Sequence, residues 1–505
     1  MTHRPLRRLA PLAAGLAAVL LLGGCDLGPD WSQPALAVPG RYRDAAPAGT
    51  NAAAARIWPS PDWWRGFRSS ELDRLVAETQ RHNFDIAAAV AQIRAADAAV
   101  RIGGSALLPS LSGSGGARWQ QSALTSRGVG TTVFTQHTYD LGLNISYQAD
   151  FWGRNLASLR SAEASAVASR YNAQTVALTA VTAVAQTWFT ALADADRLRF
   201  AEQNLKDAEA TLAVIRGRLD AGTATALDIA QQEALVNAER ANIPALRNQI
   251  EQELIGLGIL TGRPPEQVHA VPGTLDDLSL PPVAPGLPAA LLRRRPDVAA
   301  AEAQLVAANF NIKAARAAFF PTVDLTGQRG YQSAALASLF TPGGIIASAA
   351  ASLAQPLFDG GLLRGQLEQS KAQYEVLLAD YRKAVVQAFT DVDNALAAWR
   401  YATTQEALQR QAVASAARAA AIARAQLGAG TVDVTTVLST EATLYGDEDT
   451  LAQVRLARVV ALLDLYKALG GGWKEPAGPI QQQFPGLHPG LVGGGLALPV
   501  GENVR

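Results

Sequence analysis

The sequence predicts a mainly α-helical protein that also contributes strands to a membrane β-barrel. Three observations predict this class: an internal duplication, two very long stretches without glycine or proline, and short segments in which polar and apolar residues alternate. The duplication gives the order of the parts, and the other two observations give their secondary structure. Together they favour long coiled-coil helices joined to a small amount of sheet.

Composition excludes one large class of function. The chain has 505 residues, with 44 basic and 44 acidic side chains and a net charge of 0. Proteins that bind polyanions usually carry a basic surface, so no nucleic-acid partner is expected. Only 17% of the residues are charged and alanine is abundant, which suits long, closely packed helices better than an ordinary enzyme fold.

The first residues have the pattern of a secreted lipoprotein. A basic start, an apolar stretch over 9–22 and two glycines precede Cys25, so residues 1–24 are predicted to be a lipoprotein signal peptide. Cys25 is the only cysteine, and acylation there would anchor the mature chain to a membrane. The alternative is a stray thiol inside a cleaved signal. Asp26 follows, a residue that favours inner-membrane retention in enteric bacteria, but the barrel described below favours the outer membrane.

Most of the mature chain consists of two copies of one unit, 71–262 and 297–473. Residues of the first copy recur 212 positions later near its start and 207 or 208 positions later beyond its first hairpin. The recurring pairs include Pro109 with Pro321, Phe151 with Phe358, Gly222 with Gly430 and Glu233 with Glu441. The segments outside the copies are predicted to be irregular: a lipid-anchored segment at 25–70, a linker or equatorial segment at 263–296 and a Gly/Pro-rich tail at 474–505.

Each copy is predicted to contain a medium helix, a β-hairpin, a long helix, a tight tip and a returning helix. In the first copy the medium helix covers 72–102, with Asn83 or Asp85 as a possible start signal. The hairpins are predicted at 106–152 and 319–358. Strict alternation of apolar and polar residues over 139–148 indicates a strand with two different faces.

The long helices are predicted from 154 to 216 and from 366 to 427. Some sixty residues make a helix roughly 90 to 100 Å long, more than a compact domain needs. Apolar residues at heptad spacing indicate a coiled-coil seam in each copy. The seams contain Leu198, Ala201, Leu205, Ala208, Leu212, Ile215 and Leu219, and Val413, Ala416, Ala420, Ala423 and Leu427. Taken without the strands, these heptads would fit a solvent-exposed helical hairpin or a buried bundle as well as they fit the wall of a tunnel.

The strands imply a pore shared between subunits. After the signal peptide the sequence has no run of 18 uninterrupted apolar residues, which leaves a closed barrel as the way to cross a bilayer. Two hairpins give four strands per chain, too few to enclose a lumen. A dimer would have eight strands and a trimer twelve, and an aqueous passage favours the trimer. The alternative is a soluble hairpin layer packed on the helices.

The order of parts resembles the outer-membrane efflux protein family of the TolC and OprM type, in particular its NodT-like lipoprotein branch. The likeness covers nearly the whole mature chain and rests on several short motifs. These motifs are Cys25, Arg295-Pro296-Asp297, Phe358-Asp359-Gly360-Gly361, the Ala-Gly-Thr tips at 221–223 and 429–431, and Leu469-Gly470-Gly471-Gly472-Trp473. The resemblance implies a homotrimer with a twelve-stranded β-barrel in the outer membrane and a periplasmic α-barrel.

The resemblance also implies partners and a gate. An inner-membrane RND-type pump and a periplasmic membrane-fusion adaptor are expected, with the adaptor docking at Leu219, Gly222, Thr223, Leu427, Gly430 and Thr431. Asp228 matches a gate position, where three copies would form a carboxylate ring. Its alternative reading is an ordinary aspartate at a helix start. Many members carry aspartates at the positions of Thr436 and Ser439, so Asp433 is expected to substitute in a less negative gate.

No constellation for catalysis, metal binding or a cofactor is predicted. The histidines lie in different elements without metal-ligand spacing, and no phosphate-binding loop follows a strand. The expected function is therefore that of an efflux channel, not an enzyme, which passively conducts drugs or other small toxic compounds. Two alternatives stay open: an exit duct for protein secretion or metal export, and a coiled-coil envelope lipoprotein that does not conduct.

Overall fold

The computed structural model describes residues 31–36, 38–43, 58–126, 130–268, 272–282 and 288–473. Cys25 and the tail at 474–505 lie outside these ranges. Besides short 3-10 turns and one turn of helix at Pro288–Leu291, the elements follow the chain in the predicted order. They are α1 (Ser70–His82), α2 (Phe84–Ser105), β1 (Ser110–Ser126), β2 (Gly130–Ala149), α3 (Arg154–Asp220), α4 (Ala226–Thr261), α5 (Pro296–Ala317), β3 (Thr322–Ser333), β4 (Ile345–Ala354), α6 (Leu362–Gly428) and α7 (Val434–Ala468).

The first helical segment is two helices rather than one. Asn83 has an extended backbone (φ −63°, ψ 130°), and its side-chain oxygen accepts hydrogen bonds from the N–H groups of Asp85 and Ile86. It therefore caps α2, while its own N–H still closes α1 on the carbonyl of Thr79. Asparagine favours this cap because its short side chain competes with the helical hydrogen bond. The start signal at Asn83 was predicted, but the helix that precedes it was not separated.

The four strands form one antiparallel sheet in the order β1-β2-β3-β4. Each hairpin pairs internally, and β2 pairs with β3 from Tyr139 opposite Ser333 to Ala149 opposite Val323. The two copies of the repeat are thus joined through their hairpins. In the described chain β1 and β4 each have a partner on one side only, so the sheet has two open edges.

The two faces of this sheet differ in chemistry. The register brings mainly apolar and aromatic side chains onto one face: Leu111, Trp119, Tyr139, Leu141, Leu143, Ile145, Tyr147, Val323, Leu325, Tyr331, Ile345 and Leu353. Arg329, opposite Leu143, and His137, opposite Trp119, lie on the same face. The other face is mainly polar: Ser112, Ser114, Gln120, Thr138, Asp140, Asn144, Ser146, Gln148, Asp324, Gln328 and Ser352. Since Leu143 is 57% exposed and Leu353 is 70% exposed, the apolar face is not covered by this chain. Such a sheet needs an apolar environment on one side and water on the other.

Helices α3 and α6 have 67 residues each and begin in the same way. Gly153 and Gly361 turn the chain with φ of +69° and +94°, a conformation that disfavours a side chain. Nearby carboxylates then accept hydrogen bonds from the first turn, Asp150 from the N–H of Leu156 and Asp359 from that of Leu363. At 1.5 Å per residue, each helix is about 100 Å long.

The heptad seams are the packing surfaces of these helices. Ala208 and Ile215 of α3 and Ala420 and Leu427 of α6 are at most 1% exposed. Helix α3 packs against α4, α5 and α7, and α6 packs against α5 and α7. Alanine in the seams lets the helix axes approach closely, because it occupies little volume between them.

The largest core cluster includes side chains from the middle of α3. There Phe67, Trp188 and Phe189 are at most 2% exposed, and Trp63 stacks on Tyr466 with ring centroids 5.1 Å apart. Helix α3 also contains an 18-residue window with mean hydropathy 1.5, which by composition would suit a membrane span. Because 56% of that window is buried inside the fold, the apolar stretch is better explained as core.

Candidate channel tip

Two tight turns close the helical hairpins at the end farthest from the sheet. Gly222 and Gly430 have φ of +73° and +74°, so both turns use the left-handed conformation that glycine adopts without strain. The following threonines fix the turns, because Thr223 donates its N–H and hydroxyl to the carbonyl of Arg218. Thr431 does the same to the carbonyl of Gln426. The Ala-Gly-Thr motif is therefore a helix-terminating turn used twice.

Arg218 joins the two tips, a role that the sequence did not suggest. Its guanidinium donates to the carbonyl of Leu427 at 3.1 Å, at the end of the other hairpin, and to that of Thr223 at 3.2 Å. The equivalent position of the second copy is Gln426, so this link exists in one direction only. It gives a second donor to a carbonyl at the end of α6 that also accepts the N–H of Gly430 at 3.0 Å.

Asp228 belongs to a capping box at the start of α4. The Thr225 hydroxyl accepts the N–H of Asp228 at 3.2 Å, and the Asp228 carboxylate accepts the N–H of Thr225 at 2.7 Å. The carboxylate lies half-buried near the positive end of the helix dipole. Helix capping thus explains an aspartate here without a gate, although its negative charge is still present near the tip.

Asp433 is the N-cap of α7 and is exposed. Its carboxylate accepts the N–H of Thr436 at 2.8 Å and the hydroxyls of Thr435 and Thr436. The hydrogen bonds from the Thr436 side chain and backbone lower the pKa of Asp433, so the group stays ionised under mildly acidic conditions. Thr436 and Ser439 are also exposed, one and nearly two turns into the helix.

The residues predicted for adaptor docking differ in accessibility. Gly222, Thr223, Gly430 and Thr431 are exposed on the two turns, and Leu219 is 36% exposed beside them. Leu427 is only 1% exposed, because it packs against Ile215, Ala423, Val434 and Val437 inside the tip. Its side chain supports the tip from within and presents no surface to a partner.

A buried ionic network lies two to three turns from the tips. The Glu441 carboxylate, which is fully buried, accepts from the Arg424 guanidinium at 2.7 Å and from the Thr211 hydroxyl at 2.8 Å. Gln232 approaches the other carboxylate oxygen at 3.4 Å, and Asp207 binds Arg424 at 3.2 Å. Helices α3, α4, α6 and α7 therefore meet at one carboxylate. The sequence signal was the recurrence of Glu233 as Glu441, which was noted only as evidence of duplication.

This network keeps its arginine protonated. Burial disfavours the charged form of Arg424, but the hydrogen bond and charge of Glu441 outweigh it and raise the pKa of Arg424.

Over the residues that the structure describes, no three His, Cys, Asp or Glu side chains are grouped so as to hold a metal ion.

Comparison with known proteins identifies the family. The family model for outer membrane efflux proteins matches residues 75–263 and 287–471, which together make up most of the chain. The chain belongs to the outer membrane efflux protein family. This confirms the resemblance read from the sequence, and with it the expected fold class and the expected role as an efflux channel that extends from the outer membrane into the periplasm.

Relatives within the outer membrane efflux protein family match over nearly their whole length. The pyoverdine export outer membrane protein OpmQ of Pseudomonas aeruginosa is 38% identical over 464 residues, covering 91% of this chain and 96% of OpmQ. The cation efflux system protein CusC of Escherichia coli O157:H7 is 29% identical, covering 93% of this chain and 99% of CusC. The solved outer-membrane channel OprN superposes with a TM-score of 0.83 at 26% identity, over 89% of this chain and all of OprN.

Proposed function

We propose that this chain is the trimeric outer-membrane duct of a tripartite exporter, joined through a periplasmic membrane-fusion adaptor to an inner-membrane RND-type pump. The observation that carries the proposal is the four-stranded sheet with one apolar face, one polar face and two open edges. A membrane sheet with open edges leaves backbone groups without hydrogen-bond partners, which is costly in lipid. Pairing β1 of one subunit with β4 of the next removes those edges.

The number of subunits follows from closure and lumen size. Three chains contribute twelve strands, enough to leave a water-filled passage, whereas eight strands would largely fill their own interior. The apolar face would then contact lipid, and the polar face with Asn144, Gln148 and Gln328 would line the passage. A lipid at Cys25 would add a second attachment to the same membrane. Labelling of the protein with palmitate tests this attachment, and the label should be lost in the variant Cys25→Ser.

The tip is the proposed site of docking and gating. Gly222, Thr223, Gly430 and Thr431 offer exposed backbone turns to the adaptor, with Leu219 beside them. Three copies of Asp228 and Asp433 would surround the mouth, while Thr436 and Ser439 add hydroxyls and no charge. Asp433 is the N-cap of α7 and Asp228 is the third residue in the capping box of α4, so alanine would remove a capping hydrogen bond together with the charge.

Asparagine variants separate charge from capping, because the side-chain oxygen of asparagine can still accept the capping N–H group at either position. In planar bilayers, Asp228→Asn with Asp433→Asn is expected to reduce the preference of the channel for cations over anions. Glu251→Gln, which removes an exposed charge from α4 far from the tip, is the matched control. An unchanged cation preference would refute the gate assignment, and absence of any conductance by the unmodified protein would refute the duct itself.

The cargo is proposed to be a small molecule that the pump expels, such as a drug or another toxic compound. Pyoverdine or a chemically similar compound is a second candidate, favoured by the similarity to the pyoverdine export protein OpmQ over 91% of this chain. Deletion of the gene, followed by measurement of drug and dye sensitivity, metal sensitivity and pyoverdine in the medium, distinguishes these cargoes. A loss of protein secretion alone would instead support a secretion duct.

A further inference from the structure

One ion pair occurs twice in the duplicated chain, in two different environments. In the second copy Arg424 contacts Glu441 at 2.7 Å, and the glutamate side chain is fully buried. In the first copy Arg216 contacts Glu233 at 2.8 Å, but these side chains are 58% and 44% exposed. The two pairs lie 208 positions apart, so they occupy the same place in their hairpins.

The second pair is buried because the first hairpin covers it. Thr211 and Asp207, both on α3, bind Glu441 and Arg424. In the repeat, α3 corresponds to α6 and α4 corresponds to α7. The contact of α3 with α7 inside one chain therefore predicts a contact of α6 with α4 between chains, if the hairpins alternate around a ring. This step depends on the trimer proposed above.

Exposed apolar residues on both helices fit such a contact. Leu408 and Ile422 on α6 are 60% and 58% exposed, and Leu227 on α4 is 64% exposed. Large apolar side chains on a periplasmic helix are costly to leave in water. A second copy of this chain would cover them, since continued alternation of the hairpins brings the two faces together.

A cavity at the contact of α3 with α7 shows which residue differs between this interface and the proposed interface between chains. This cavity of about 190 Å³ lies beside the buried pair. It is lined by Asp207, Ala210, Thr211, Val214, Arg424 and Leu427. The counterparts 208 positions away are Ser415, Arg418, Ala419, Ile422, Arg216 and Leu219. Arginine thus replaces Ala210 at the place where the other interface has empty space.

Arg418 is free to take this role. In the described part of the chain its guanidinium contacts only the hydroxyl of Ser415, at 3.0 Å. The carboxylate and hydroxyl that hold the buried pair, Asp207 and Thr211, are replaced by Ser415 and Ala419. The contact between chains therefore lacks the groups that satisfy Arg424 and Glu441 and offers a second cation instead.

We propose that Arg418 of the partner subunit enters the counterpart of this cavity and forms an ion pair with Glu233. The α4 edge that carries Arg216 and Glu233 is thus a docking surface for α6 of a second copy. Glu233 then lies between two guanidinium groups, one from each subunit. The interface between subunits is held by an ion pair at the rim, whereas the interface within a subunit is held by a buried network.

Cysteine cross-linking tests the docking surface on the full-length protein in its membrane. Glu233→Cys with Ala419→Cys, treated with a short bis-methanethiosulfonate reagent, is expected to give covalently linked trimers on denaturing gels. Arg197→Cys with Asp449→Cys calibrates the reagent, because these side chains touch within one chain at 2.6 Å. Glu233→Cys with Leu408→Cys is the matched negative control, since Leu408 lies about 16 Å from Ala419 along α6.

The outcomes separate this proposal from the proposed function. Light scattering first reports whether the protein is a trimer, and a monomer would refute the duct. If the protein is a trimer and the calibration pair reacts within one chain, failure of the Glu233–Ala419 pair to link subunits overturns the docking surface. Equal linking by the Leu408 control would overturn it as well, because the contact would then lack the proposed register.

A double-mutant cycle tests the ion pair itself. Glu233→Gln and Arg418→Gln should each speed amide exchange in the segment 229–237 by about two- to fivefold, the range for partly exposed pairs. The double variant should exchange no faster than Glu233→Gln alone, because Arg418→Gln removes an interaction that Glu233→Gln has already removed. Additive effects of the two substitutions would show that the side chains do not interact.

Discussion

Removing the carboxylate of Glu441 should loosen the tip far more than removing an exposed carboxylate. Loss of one partner from a buried ion pair costs about 3–5 kcal/mol, because the other charge is left unpaired. Here Arg424 keeps Asp207 at 3.2 Å and is 28% exposed, which lowers the cost. We therefore expect about 2–4 kcal/mol for Glu441→Ala, with the Thr211 hydroxyl losing its acceptor as well.

Hydrogen exchange measures this change where it occurs. A membrane trimer does not unfold in two states, so a global unfolding free energy is not the appropriate quantity. If the free energy of local opening falls by about 2–4 kcal/mol, amide hydrogens in segments 205–215 and 437–445 should exchange about 30- to 700-fold faster.

The control is Glu202→Ala, which removes an exposed pair with Arg247 at 2.8 Å on neighbouring turns of α3 and α4. Such pairs contribute about 0–1 kcal/mol, so exchange should rise less than about fivefold. Equal effects of Glu441→Ala and Glu202→Ala would refute the reasoning, because burial would then make no difference.

Two further predictions concern protonation and backbone conformation. Burial raises the pKa of Glu448, so its ionised form destabilises the folded tip at neutral pH, and stability should rise as pH falls through the raised pKa. Glu448→Gln should slow exchange in α7 at neutral pH and abolish the gain in stability expected on acidification; a variant that keeps this gain would exclude Glu448 as its source. Gly470 has φ of +82°, and a Cβ there would overlap the carbonyl oxygen of Arg294. Gly470→Ala should therefore sharply reduce the yield of folded trimer, whereas Gly446→Ala, in open space within α7, should keep the yield and slow amide exchange around it by about two- to fivefold. Equal yields for the two variants would contradict this account.

Local chemistry explains how much of the fold was predictable. Glycine at 222 and 430, the cap at Asn83 and the alternation over 139–148 each act within a few residues, so their structures follow from neighbours in the chain. The break between α1 and α2 was missed because the residues on both sides favour helix, and only the cap geometry at Asn83 separates them.

The candidate site was predictable only in part. The turns and Asp228 could be found from motifs, because each motif is contained in one hairpin. Arg218 and the partners of Glu441 could not, since they bring together helices that are far apart in sequence.

The sequence by itself determined the repeat, the element order, the two-faced strands and the length of the helices, because these depend on periodicity and on the conformational limits of glycine and proline. The tertiary structure alone decided that β2 pairs with β3, that Glu441 is buried while its duplicate Glu233 is exposed, and that Leu427 points inward. The physical reason is that equivalent residues of the two copies are buried to different extents when different neighbours cover them. Pairing between distant segments is set by the packing of the whole chain.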